Sequence, residues 1–305
     1  VQQIEHQSEA DDTHSPIRHT SPVSPRDYKL IAIDVDGTLV DHEGNIHPED
    51  LRALRHAQDH GAVIAIASGR MGESIVQVFD RIEMDGPVIG YNGAMVKLPR
   101  QEGAEIIFHR PLSPEIAKSV VDFVYWFNSL APENDQMHLN YYLDDVLYAD
   151  RQCVWSDKYH RQTGSTFHYV GDLRQFNGKS PTKTIMMSHP ERREVFYELF
   201  QFHFADQVYL AKTWPEYHLE VMNPHANKGE ALLALAAHLE IEREEIMTLG
   251  DGSNDIPMLE LEGVFSVAMG NGPDEVKQIC DWTSRPCDEA GIAHALDSFF
   301  LAGSA

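Results

Sequence analysis

From Asp27 onward, short apolar runs alternate with helical patterns, and this rhythm restricts the fold more than any other feature of the chain. Such runs suit strands buried on both faces, and the helical stretches between them supply the crossovers of a parallel sheet. The strand candidates are Leu30–Ile33, Ala62–Ala67, Pro87–Tyr91, Glu245–Leu249, Val264–Ala268 and a weaker Trp282–Ser284. Between the first two, HPEDLRALRHAQDHG puts proline at a helix start and glycine at its end. The expected class is α/β.

The middle of the chain breaks the rhythm. AMVKLPRQEGAEIIFHRPL reads as a hairpin turning near Glu102–Gly103, and SPEIAKSVVDFVYWFN follows as a capped helix with an apolar stripe at Ile116, Val120, Phe123, Val124 and Phe127. MHLNYYLDDVLYAD resembles a second strand pair turning near Leu143–Asp144–Asp145; TKTIMMS and YHLEVMN look like two further strands around a helix at Glu191–Phe204. Antiparallel elements with helices on one side make a separate α+β unit. The expected organisation is a tail over 1–26, a core over 27–93 and 223–305, and an inserted α+β unit over 94–222.

Charge and cysteine content narrow the function. Acidic side chains number 48 against 24 basic ones, a formal net charge of −24, which disfavours nucleic acid and anionic membrane surfaces as partners. No apolar run approaches the roughly 20 residues of a membrane-spanning helix. Cys153, Cys280 and Cys287 lack C-x-x-C spacing, so neither a disulfide framework nor a zinc knuckle is expected, and a reducing, cytoplasmic setting fits. The opening residues carry His6, His14 and His19 at irregular spacing, without the pattern of a metal site or a secretory signal.

Ligands of an open parallel sheet gather beyond the carboxyl ends of its strands. There the chain places Asp34 and Asp36 after the first strand, Ser68-Gly69-Arg70 after the second, Asn92-Gly93 after the third and GDGSND, Gly250 to Asp255, after the fourth. Lys228 opens a further helix, with Asn227 and Glu230 at capping distance. Three aspartates on one edge repel one another unless a hard divalent cation sits among them. Magnesium takes such oxygens together with water and phosphate, which makes a phosphate ester the natural guest.

DVDGTLV, ASGR, NKG and GDGSND resemble the four motifs of the haloacid dehalogenase (HAD) superfamily of aspartate-nucleophile phosphatases. The insertion, YNGA and the stretch from Met269 to Leu296 are similar to its Cof-type group, in which a large α+β cap covers a Rossmann-like core. The resemblance implies a small phosphorylated metabolite, mostly a sugar phosphate, as substrate. It further implies Asp34 as nucleophile, Asp36 as acid and base, and Mg²⁺ held by Asp34, the Asp36 carbonyl and Asp251, with Asp255 in support. Ser68 and Lys228 would bind the phosphoryl oxygens, with Asn254 on the same rim. Asn92, Gly93 and Lys183 would face the rest of the substrate. Leu39–Glu49, with His42 and His47, looks like the superfamily's hairpin flap, and Trp155, Tyr159, Trp214 and Tyr217 are candidates for ring stacking or simple packing. Gly270-Asn271-Gly272 replaces the usual GNA, outside the expected catalytic set. A phosphomannomutase-like phosphotransferase and a sugar-phosphate binding protein without turnover are the alternatives.

Overall fold

The computed structural model describes residues 25–98, 105–212 and 216–300. Its first strand, β1 (Leu30–Ile33), is followed by α1 (Pro48–Asp59), β2 (Val63–Ala67), α2 (Gly72–Ile82) and β3 (Val88–Gly90), all three strands parallel. A tight turn at Tyr91–Gly93 reverses the chain into β4 (Met95–Leu98) and β5 (Glu105–His109). After the insertion come α6 (Lys228–His238), β12 (Ile246–Gly250), α7 (Ile256–Leu259), β13 (Phe265–Ala268), α8 (Asp274–Ile279), β14 (Trp282–Thr283) and α9 (Gly291–Phe299). The eight strands run in the order β14-β13-β12-β1-β2-β3-β4-β5. β1 lies at the centre, flanked by β12 and β2 on register pairs such as Ile33 with Leu249 and with Ile66.

Both faces of this sheet are apolar, as the unbroken strand runs require. Ile31, Ile33, Ile64 and Ile66 point to one side and pack with Leu54, Phe79, Ile292 and Leu296 of α1, α2 and α9. Leu30, Ala32, Ala65 and Ala67 point to the other, against Leu232 and Leu235 of α6 and Met258 of α7. The small alanines let α6 approach the sheet closely.

The insertion contains α3 (Pro114–Leu130), β6 (His138–Leu143), β7 (Val146–Ala149), α4 (Val154–Thr163), β8 (His168–Tyr169), β9 (Lys183–Met187), α5 (Pro190–Phe204), β10 (Tyr209–Ala211) and β11 (His218–Met222). Its six strands form a second sheet in the order β10-β11-β9-β6-β7-β8. Alternation decides its faces: Leu139, Tyr141, Met186, Leu219 and Val221 pack under α3 and α5, while Tyr142, Ile185 and Met187 face Met71, Tyr91 and Met95 of the larger unit.

Two local readings change. The β4–β5 hairpin, placed with the insertion on the sequence pattern, pairs antiparallel with β3 and continues the larger sheet, its Val96 buried in the core. The smaller sheet is built from residues 138–222. Within Leu39–Glu49 no strand pair forms; the Asp41 carboxylate accepts from the backbone of Glu43 and Asn45 at 2.9 and 2.8 Å, closing a compact Asx-type turn. His47 then caps α1, its Nδ1 accepting from Glu49, and His42 is exposed. The Glu102–Gly103 turn, the three tail histidines and Trp214 lie outside the described residues.

Candidate active site

Each site side chain sits where a strand or helix ends. Asp34 follows β1 directly and is only 5% exposed. Asn227 caps α6 through its side chain, accepting from Glu230 N at 2.9 Å, which fixes Lys228 at the first helical position, fully buried. From there the ammonium donates to Asp34 Oδ1 at 2.6 Å and to Asp255 Oδ1. The other oxygen of Asp255 takes the backbone amides of Asp251 and Gly252 at 3.1 and 2.8 Å. Asp251 stands beside them, its Oδ1 accepting from Thr38 Oγ1 at 3.0 Å.

Two glycines allow this convergence. Gly37 has φ +92°, and a Cβ there would fall 2.3 Å from Asp251 Oδ2. Gly93, at φ +93°, lies against the start of α6; a Cβ on it would meet the Asn227 carbonyl oxygen at 2.1 Å. Any side chain at either position would push the aspartates or the lysine out of register.

One oxygen from each of Asp34, Asp251 and Asp255 lies within 4.8 Å of the others. Were all three carboxylates ionised, they would outnumber the one ammonium by two. Burial, then Asp255, push Asp34 upward against the opposing pull of Lys228. Asp251 is pushed up to about 6 by burial and by Asp255. Burial alone would lower Lys228, yet the two carboxylates outweigh it and hold the ammonium firmly protonated. The all-oxygen donor set and the charge deficit fit a hard divalent cation between Asp34 and Asp251. With both of its oxygens already engaged, Asp255 is better suited to orienting Lys228 and the Gly250–Asp255 loop.

Asp36 points elsewhere. Its side chain is 62% exposed and forms a two-point pair with Arg70, Nε to Oδ2 at 3.0 Å and Nη2 to Oδ1 at 2.5 Å. Ser68 is buried at the end of β2, its Oγ accepting from the Arg70 amide at 3.3 Å. Asn92, with φ +53°, accepts from Asn254 Nδ2 at 3.3 Å, so these two substrate candidates meet across the rim. Lys183 is 3% exposed and donates to the Gly69 carbonyl and to Glu220. Trp155 and Tyr159 are packed between α4 and the smaller sheet, and Tyr217 lies against Trp155 at 5.2 Å between ring centroids.

Three neighbours were not singled out for the site by the sequence pattern. Thr38 braces Asp251 through its hydroxyl. Arg70 belongs to ASGR but gained a role only through its contact with Asp36. Asn271, set aside as a departure from the usual motif, donates to the Gly37 carbonyl at 2.7 Å, approaches Asp251 Oδ2 at 3.4 Å and accepts from Cys287 N. A residue 20 positions from Asp251 and 234 from Gly37 carries no local signal of that contact.

Among the described residues no helix is long and apolar enough to cross a membrane. A family described as haloacid dehalogenase-like hydrolase matches residues 31–296. The chain is similar to the 5-amino-6-(5-phospho-D-ribitylamino)uracil phosphatase YitU of Bacillus subtilis, with 29% identity across 89% of this chain and 97% of that one. It is 28% identical to the HMP-PP phosphatase of Cronobacter sakazakii, covering 88% and 94% of the two chains. Its fold superimposes on the crystal structure of TM0651 from Thermotoga maritima with a TM-score of 0.81 and 28% identity, over 90% of this chain and 98% of that one. The strand-end aspartates, the buried lysine and the match over nearly the whole chain together make this protein a member of the haloacid dehalogenase-like hydrolases, and a phosphatase of their Cof type.

Proposed function

We propose that the protein hydrolyses a small phosphorylated metabolite, a sugar phosphate or a related polyol phosphate, through a phosphoryl group carried transiently on Asp34. The supporting observation is the arrangement at the end of β1. Asp34 is buried against Lys228 beside Asp251, while Asp36, two residues on, reaches solvent. Burial and Asp255 favour the protonated form of Asp34, so its work as nucleophile needs Lys228 and a cation to offset them, whereas the exposed Asp36 can exchange protons with solvent.

Asp34, Asp251 and the Asp36 backbone carbonyl would hold Mg²⁺, which neutralises charge on the phosphoryl oxygens. Asp34 attacks phosphorus in line, and the ester P–O bond breaks. Asp36 hands its proton to the departing alcohol, then takes one from the water that cleaves the aspartyl phosphate and frees inorganic phosphate. In its pair with Arg70 both Asp36 oxygens accept, so Asp36 would leave that pair and take a proton from solvent before it serves the departing alcohol. Ser68 and Lys228 grip the transferring oxygens, and Asn254 supports the same rim. Asn92 and Gly93 face the remainder of the substrate beneath the cap. The name of YitU's substrate, a ribityl phosphate bearing a uracil ring, supports a polyol phosphate as the class to try first.

The test is release of phosphate from 4-nitrophenyl phosphate and from a panel of sugar and polyol phosphates, with and without Mg²⁺, by the native chain and by Asp34→Asn. Turnover that ignores the metal, or full activity in the variant, overturns the proposal. An isomer in place of free phosphate from a sugar bisphosphate would assign the chain to phosphoryl transfer instead.

A further inference from the structure

The smaller unit grips one particular loop of the larger one, the segment Ser68–Gly72 that carries Ser68 and Arg70. From β9, Lys183 Nζ donates to the Gly69 carbonyl at 3.1 Å and to Glu220 Oε2 at 3.0 Å. The ammonium also lies 5.6 and 5.4 Å from the ring centroids of Tyr91 and Tyr142. From the β6–β7 turn, Asp145 accepts from Gly72 N at 3.1 Å, from the Tyr91 hydroxyl at 2.8 Å and from Lys97 Nζ at 2.7 Å. Asp144 and Asp145 both have positive φ, +53° and +60°, the tight hairpin geometry that brings this carboxylate to the seam. A Cβ on Gly72 would fall 2.6 Å from Asp145 Oδ2, so the contact is made against bare backbone.

The loop has other anchors, and they lead into the site. Tyr91 N donates to the Arg70 carbonyl at 2.8 Å and Asn92 N to the Ser68 carbonyl at 3.0 Å. The hydroxyl held by Asp145 thus belongs to the residue that braces Arg70 and precedes Asn92. On opening, Asp145, Lys97 and Lys183 would regain water, so these contacts are exchangeable in a way that apolar packing is not.

We propose that Asp145 and Lys183 are positioning residues, which hold Ser68–Gly72 in its working conformation only while the cap is seated on the core. The inference rests on the reading of Ser68 as a phosphoryl-binding residue and of Asp36, the partner of Arg70, as the acid and base. Cap seating then governs the chemistry at the core directly, even for a substrate too small to reach the cap. A role for Lys183 in touching substrate predicts the reverse: small substrates would be indifferent to it.

The experiment uses the full chain with Asp145→Gly, Asp145→Asn and Lys183→Met. Glycine keeps the left-handed backbone and removes the carboxylate; asparagine tolerates the same backbone and keeps one acceptor oxygen for Gly72 and Tyr91. With 4-nitrophenyl phosphate and Mg²⁺, kcat should fall about 10- to 100-fold in Asp145→Gly and Lys183→Met with little change in KM, and Asp145→Asn should recover most of the loss. Hydrogen exchange across residues 69–71 should quicken in the two impaired variants. Unchanged kcat on this substrate, or a loss confined to larger metabolites, overturns the proposal, as does unchanged exchange. A wild-type chain inert towards every phosphate ester would defeat the functional reading alone, and the exchange measurement would still decide this one.

Discussion

At the carboxyl edge of the larger sheet, one buried ammonium, Lys228, faces Asp34 and Asp255 with Asp251 alongside. At the seam between the two sheets, Lys183 is paired with Glu220, and Asp145 takes hydrogen bonds from three donors, one of them the Lys97 ammonium. Both groups are buried, yet the first is left negative and the second is matched charge for charge. A balanced buried group holds pieces of protein together, whereas an unbalanced one carries a repulsion that a cation would relieve.

Lys228→Met should break this contrast most severely. Without the ammonium, Asp34 and Asp255 face each other uncompensated; turnover should vanish and stability should fall by about 3–5 kcal/mol, measured by urea unfolding in chelator. Adding Asp34→Asn to that variant should return part of the stability and none of the activity. If the double variant is no more stable than the single one, repulsion between the carboxylates is not what the lysine relieves.

Asp34→Asn alone should separate the two functions of the edge. Phosphatase kcat is expected to drop about 10⁶-fold, the order seen when a nucleophile is removed. Metal-free stability should rise, because one repelling charge has gone. In the native chain Mg²⁺ at 100 times its dissociation constant should add about 2–3 kcal/mol of stability, and the variant should lose most of that increment. An undiminished response to Mg²⁺ would place the ion elsewhere.

The balanced seam should answer differently. Glu220→Gln leaves Lys183 its hydrogen-bond acceptor and removes the counter-charge, so stability should fall by about 1–3 kcal/mol while the increment from Mg²⁺ stays as in the native chain. A changed metal response would mean that the two charge groups are coupled.

The smallest effect concerns Asp50 of α1, which accepts from Ala293 N at 2.7 Å and joins α1 to α9. Burial pushes it up to about 6. A carboxylate raised in the folded state binds its proton more tightly there than when unfolded. Stability is therefore gained as pH falls from about 6 towards 4 and lost as pH rises back through that window. Asp50→Asn should flatten this component, making the native chain about 1–2 kcal/mol more dependent on pH than the variant between pH 7 and 4. Parallel pH profiles of thermal unfolding would contradict the assignment.

The larger sheet was legible because its information is local. Each apolar run of four or five residues carries its own strand signal, and the residue just after it must lie at the sheet's carboxyl edge, so Asp34, Ser68, Asn92 and Asp251 could be placed there before any contact was known. Lys228 was legible for the same reason, as the first residue after a capping asparagine. The β4–β5 hairpin was misassigned because an antiparallel pair looks alike in sequence whether it extends one sheet or founds another. The Asp41 turn imitates a hairpin for a similar reason: backbone bonds from Asp41 N to the Asn45 carbonyl and from Gly44 N to the Asp41 carbonyl close it, and the Asp41 carboxylate reinforces them.

The sequence by itself determined the parallel core, the edge on which chemistry can occur and the residue types gathered there, since these follow from periodicity and from what ends each strand. Only the tertiary structure decided that Asp36 is held by Arg70, that Asn271 reaches Asp251, and that Lys183 and Asp145 clasp Ser68–Gly72 across separations of 114 and 73 residues. Those contacts depend on how two sheets seat against each other, and that seating is set by packing over the whole interface, which no short stretch of residues encodes.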